Sequence, residues 1–242
     1  MKKKYAFVIA FLITLIVAGN YLVFADIYPE REIVIIKRAL DGDTIELEDG
    51  RIIRLLNINA PEKKKHASDE ATNFLKSFEG KRAGIEITGF ERYGRSLGRI
   101  YSSEYINLEL VRLGLAHKYL VEDSELDEYI DAEKEAMENE LGIWERSNYW
   151  NCLETEINKK AEYLIIENKC NADLKGWEIK DESTKSYIIK KSGSELTIYS
   201  AKGIDEENEL YWGRGDAWND DKDSLFIRDN EGLLVYYYSY GY

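Results

Sequence analysis

Three short strings hold the residues of this 242-residue chain whose types and spacing could do chemistry. They are Asp41-Gly42-Asp43-Thr44, the run from Arg54 through Asn59-Ala60-Pro61-Glu62, and Glu91-Arg92-Tyr93-Gly94-Arg95. Carboxylate and amide oxygens suit a hard divalent cation. Guanidinium forks match phosphate oxygens, and a glutamate can handle the proton of a water molecule. Together these are the parts that metal-assisted hydrolysis of a phosphodiester requires.

Each residue can be given a task. Asp43, a short carboxylate on a turn entering a strand, is the candidate for direct metal coordination, with Asp41 supporting it from behind. Asn59 offers a side-chain carbonyl oxygen and Ala60 its backbone carbonyl. Water would complete the shell of calcium, which accepts about six to eight oxygens, and magnesium suits so loose a set less well. Pro61 fixes its own φ and so aims Glu62, the residue assigned to the attacking water. A carboxylate is a weak base at neutral pH, so Glu62 orients the water while the metal supplies acidity. Arg54 and Arg95 would straddle the phosphate as its charge grows. For Arg54 alone the competing reading is a structural salt bridge. Lys63, Lys64 and Lys65 either attract phosphate or form a solvated loop.

Charge argues against a general nucleic-acid binder, because the net charge is −13 and such proteins carry a basic footprint. The acid is unevenly spread, however. From Pro29 to Ser103 there are 14 Lys and Arg against 13 Asp and Glu, whereas from Glu104 to Glu145 there are 3 against 13. Phosphate attraction must therefore be local. A hydrophobic fraction of 44% excludes a disordered chain.

Periodicity predicts the elements that position these residues. β-Branched runs at Ile33–Ile36, Thr44–Leu47 and Arg51–Leu56 read as strands, the last two joined through Asp49-Gly50. Ser68 is expected to cap a helix whose Ala71, Phe74, Leu75 and Phe78 form one apolar stripe. Arg82–Thr88 and Leu97–Tyr101 supply two further strands. Helices are expected at about Asn107–Leu113 and Asp127–Leu141, the second with a solvated acidic outer face. Five strands with three helices point to a small Greek-key barrel. His66 and His117 read as a loop residue and a helix-end residue.

Residues 1–25 read as a targeting segment, Lys2 to Lys4 before an apolar run. A cleaved signal peptide and an uncleaved anchor both remain open. Either places the folded part outside the cytoplasm, secreted or on the outer face of the membrane. In an exported chain Cys152 and Cys170 read as a disulfide. Past a boundary near Arg146 to Asn151 the pattern changes to short strands, at Tyr163–Ile166, Tyr187–Lys190, Leu196–Tyr199, Leu225–Ile227 and Leu233–Tyr238, the spacing of a sandwich. Trp177 and Trp218 read as core, and the tyrosine-rich tail as an edge strand.

Residues from about Ile33 to Trp144 resemble the thermonuclease, or staphylococcal-nuclease-like, family. The resemblance rests on Asp-Gly-Asp-Thr, the Arg-Leu-Leu run leading to Ala-Pro-Glu, the Tyr-Gly-Arg loop, the stretch Leu110 to Ala116 and the closing Leu141-Gly142-Ile143-Trp144. It implies an OB-fold barrel over residues 30–147 that binds calcium and cleaves DNA or RNA. Its catalytic residues would be Arg54, Glu62 and Arg95, and its calcium ligands Asp43, Asn59 and Ala60. Tyr93 and Tyr119 would contact nucleotide. The family's commonest pattern has aspartate where this chain has Asn59, so weaker metal binding is expected. Residues 152–242 resemble a lamin-tail domain, which implies an immunoglobulin-like β-sandwich and a role in tethering to a surface or to substrate. The resulting expectation is a mainly β, monomeric, exported calcium-dependent nuclease. The alternative is a binding module in which the barrel has lost catalysis through Asn59.

Overall fold

The computed structural model describes residues 31–91 and 94–242, so residues 1–25, read as a targeting segment, and Tyr93 lie outside the described residues. The first unit is a closed five-stranded barrel of β1 (Glu32–Ala39), β2 (Thr44–Leu47), β3 (Ile52–Leu55), β6 (Ser96–Tyr101) and β5 (Arg82–Phe90), in that order round the barrel. β3 and β6 run parallel and the other neighbours antiparallel. Alternation decides which side chains fill it. In β1, Val34 and Ile36 are buried while Ile33 and Ile35 face out, as a period of two requires.

Three helices close the barrel: α1 (Ser68–Lys76), α2 (Ile106–Arg112) and α3 (Leu126–Glu138). Ala71 and Leu75 of α1, Leu110 and Val111 of α2, and Tyr129 and Ala132 of α3 join the barrel core. Phe74 and Phe78 sit at its rim, edge to face.

Several expectations need correction. Ser68 is the first helical residue of α1 and not its cap; Ala67, with φ 61°, precedes it and no side chain caps the helix. Asp69 and Glu70 in the first turn instead complement the helix dipole. α3 stops at Glu138, before Leu141, because Glu140 takes φ 53° and the chain turns into a short 3-10 segment, Gly142–Trp144. The acidic face of α3 is not wholly solvated, since Glu133 is buried against Lys118. His117 is not at a helix end. It lies in β7 (His117–Lys118), which pairs antiparallel with β4 (Ile58–Asn59), a two-residue ladder too short to leave a sequence signature.

The second unit has two four-stranded sheets around one core. The first orders β11 (Ser186–Ile188), β10 (Glu178–Lys180), β14 (Asp223–Arg228) and β15 (Leu234–Tyr240). The second orders β13 (Glu209–Tyr211), β12 (Glu195–Tyr199), β9 (Tyr163–Asn168) and β8 (Leu153–Asn158). Leu164, Ile166, Leu196 and Ile198 meet Ile179, Leu225 and Ile227 in that core, and Trp177 and Trp218 are buried in it. β8, β10 and β13 were not legible because they are short or polar on one face. Cys152 and Cys170 are bridged, their Cα atoms 5.3 Å apart, which ties the start of β8 to the turn after β9.

The two units share an apolar seam of Ala67, Ala136, Ile143, Trp144, Phe226 and Leu234. The Trp144 ring packs at 5.8 Å from Phe226 and 4.9 Å from Tyr237. Burying each such large side chain is worth about 1.5–3 kcal/mol. The connecting segment also runs along β15, with the Ser147 amide donating to Leu234 O at 2.9 Å and the Asn151 amide to Val235 O at 3.2 Å. The second unit is thereby seated against the rim of the barrel.

Candidate active site

The turn before β2 is held by Asp41, whose Oδ1 accepts the Asp43 amide at 3.2 Å. Gly42 allows it to pack close, because a Cβ there would fall 2.8 Å from the Cβ atoms of both Ala60 and Ala71. That approach brings the Asp43 side chain to the loop after β4. Asp43 Oδ2 accepts the Ala60 amide at 2.9 Å, and its Oδ1 accepts the Thr44 hydroxyl at 3.1 Å.

The pairing of β2 with β3 sets Arg54 opposite Thr44. Arg54 Nη2 lies 3.1 Å from Asp43 Oδ2 and donates to Asn59 Oδ1 at 3.2 Å, while Nη1 donates to Leu55 O at 2.6 Å. The salt-bridge reading of Arg54 thus describes a real contact, made inside the cleft. Burial pushes the Asp43 carboxyl up to about 6, against the pull of Arg54 and the Ala60 amide, and Asp41 adds to the rise.

Arg95 is held from its own loop: its Nε donates to Glu91 Oε2 at 2.9 Å, and Nη1 donates to the Thr44 hydroxyl at 3.4 Å. Gly94, at φ 80°, supplies the left-handed residue that closes this loop, a conformation glycine adopts without strain.

Asp41, Asp43, Arg54, Asn59, Ala60, Glu62 and Arg95 line one cleft of about 380 Å³, with Lys63 and Thr184 at its margin. Glu62 is exposed at the rim. Not every candidate reaches the cleft. Lys64, at φ 72°, is exposed and off its lining, and Lys65 turns away to Glu178 at 2.8 Å. Tyr119 is half-buried beside Arg54, outside the lining; burial and the nearby Asp181 raise its phenol above the usual range. Thr184 and Glu182, on the β10–β11 loop of the second unit, were missed. Asn59 Nδ2 donates to Glu182 O at 3.0 Å, a contact no local pattern announces.

Every donor in the cleft that could hold a metal is an oxygen, which fits a hard cation. Burial of Asp43 outweighs the help of Arg54 and the Ala60 amide, and a cation beside it would favour the carboxylate. Asn59 leaves the set poor in charge. Among the described residues no three His, Cys, Asp or Glu converge on one point.

Fold and cleft together give a five-stranded barrel that brings two guanidinium groups and a set of oxygen donors to one place. The profile of the family described as staphylococcal nuclease homologue matches residues 52–146. Over 114 residues the chain is 39% identical to an uncharacterized endonuclease of Escherichia coli O157:H7, covering 44% of this chain and 73% of that protein. It is 32% identical over 130 residues to a thermonuclease of Staphylococcus intermedius, covering 48% of this chain and 77% of that protein. A staphylococcal-like nuclease of Arabidopsis thaliana is 34% identical over 114 residues, 45% of this chain and 34% of that protein. The chain belongs to the staphylococcal nuclease family.

Proposed function

We propose that this protein is an exported, calcium-dependent nuclease that hydrolyses phosphodiester bonds of DNA or RNA by attack of water. The observation that carries the reading is the meeting of two arginines, a rim glutamate and a set of oxygen donors in one cleft. Arg54 and Arg95 bind the phosphate and stabilise the charge that grows on it. Glu62 orients the water from the open side and accepts its proton. Lys63, at the margin, draws the strand in. Asp43, Asn59 and the Ala60 carbonyl would hold calcium with Asp41 behind them, and the bound ion would acidify the water and polarise the phosphate.

Export is supported by the basic and apolar N-terminal segment. Residues 30–147 are read as the catalytic unit and 152–242 as a lamin-tail-like unit that tethers it, in a monomer. The amide of Asn59 favours a second reading, a barrel that binds nucleic acid or a surface partner with little catalysis. Digestion of labelled DNA and RNA with calcium, with chelator and with Glu62→Gln separates the two. Cutting is expected only for the unaltered protein with calcium, and equal cutting in all three would end the proposal.

A further inference from the structure

A second cavity, of about 80 Å³, lies where the two units meet. It shares Pro61, Glu62 and Thr184 with the walls of the hydrolytic cleft, so the two spaces adjoin. Its cationic side comes from the second unit, through Lys180 at the end of β10 and Arg228 at the end of β14.

Neither cation has an acid within ion-pair distance among the described residues. Lys180 Nζ instead donates to His117 Nε2 at 3.0 Å. His117 Nδ1 lies 2.9 Å from Lys118 O and must donate to it, which leaves Nε2 bare to accept from the ammonium. This imidazole is neutral, since burial and the neighbouring Lys180 hold it well below its ordinary value. Arg228 Nη1 donates to two carbonyls, Ile143 O at 2.7 Å and Gly232 O at 3.2 Å. Of the two acids in the wall, Glu178 is engaged by Lys65 at 2.8 Å and Glu62 lies on the side shared with the cleft, and both offset part of the charge on Lys180.

Two cations therefore face one space without a direct ion-pair partner among the described residues. Burial and Arg228 push Lys180 down to about 8, and burial pushes Arg228 down to about 10. The Phe226 ring, 5.6 Å from the Lys180 ammonium, gives the cavity an apolar floor that strengthens any charge contact made above it. A water molecule needs about 10–15 Å³ of such space. The cavity therefore admits a compact polyatomic anion.

We propose that this cavity is a phosphate subsite, built by Lys180 and Arg228 and reached past Glu62, which takes a second phosphate of the strand whose scissile phosphate lies in the cleft. The role on a strand rests on the nuclease reading, whereas the affinity for phosphate does not. The second unit is then part of the substrate site. The phosphate is either a neighbouring diester or a terminal monoester, and the two sources are separable by experiment.

The test uses the full chain in chelator, so that nothing is cut. Inorganic phosphate is titrated while the unfolding midpoint is followed, and short labelled oligonucleotides with a 5′-phosphate, a 3′-phosphate or neither are bound by anisotropy. Lys180→Met keeps the apolar stem and relieves the repulsion with Arg228, so it should fold. Ser186→Glu, on the edge strand β11 at the cavity wall, is the second variant. The unaltered protein is expected to be stabilised by phosphate. Both variants should lose that response and bind oligonucleotide about tenfold or more weakly, as expected for a charged hydrogen bond. Loss confined to one phosphorylated end identifies a monoester, and equal loss for all three oligonucleotides a diester. Phosphate response and strand affinity that are the same in the unaltered protein and both variants would overturn the subsite. Metal-dependent cutting with no Lys180 effect would sink the subsite alone. Phosphate binding that depends on Lys180, without any cutting, would leave the subsite and remove the nuclease.

Discussion

The side-chain amide of Asn59 donates to the backbone carbonyl of Glu182 at 3.0 Å, joining two positions 123 residues apart. The same side chain accepts from Arg54 through Oδ1. An amide can do both, whereas an aspartate there would place a carboxylate against the Glu182 carbonyl. Asn59 thus links the barrel site to the second unit.

Asn59→Asp should therefore trade stability for metal. Calcium affinity is expected to rise about tenfold with the added charge, read by calorimetry. In chelator the protein should lose about 1–3 kcal/mol in urea unfolding, because a buried acceptor is left unpaired. Unchanged stability would mean that the contact does not hold the units together.

Glu91 holds the Arg95 guanidinium and is not part of the cleft lining. Glu91→Ala should lower kcat about ten- to hundredfold with KM little changed, as expected when a guanidinium is misplaced at the reacting centre. Glu91→Gln, which keeps an acceptor oxygen, should recover part of the loss. A rise in KM alone would refute the positioning role.

Lys118 and Glu133 form a buried ion pair beside the seam, with side chains only 4% and 5% exposed. The Tyr237 hydroxyl reaches Glu133 from the second unit at 3.4 Å. Glu133→Ala should cost about 3–5 kcal/mol by stranding the lysine, and Lys118→Met with Glu133→Leu should restore most of it. Denaturant unfolding of the single and double variants decides the point.

Burial pushes the Glu182 carboxyl up to about 7 from 4.5, and Asp43 up to about 6 from 3.8. Each binds its proton more tightly folded than unfolded, so stability in chelator should fall as pH rises, from 3.8 to about 6 for Asp43 and from 4.5 to about 7 for Glu182. For Glu182 the gap from 4.5 to about 7, at about 1.4 kcal/mol per pH unit, makes up to about 3 kcal/mol. Glu182→Gln should flatten that part of the slope and leave the part due to Asp43. A variant that keeps the full slope would rule the assignment out.

The barrel strands were legible as β-branched runs such as Ile33 to Ile36, and the three helices by residues such as Ala71 and Leu75 that recur on one face. The motifs named the cleft residues because loops anchored on such elements leave little freedom for what they carry. β4 and β7 were not legible, since two residues have no period. The buried position of Glu133 depends on a lysine that a different segment supplies.

Local pattern alone determined the five strands and the chemical inventory of Arg54, Asn59, Glu62 and Arg95, and the resemblance of the motifs pointed to the family. Only the tertiary structure decided that Glu182 and Thr184 come to the site, that Lys64 does not, and that Lys180 and Arg228 face one cavity beside it. The reason is that local preferences act over a few residues, whereas docking of the two units follows from apolar surface on Trp144, Phe226 and Leu234 that is distant along the chain.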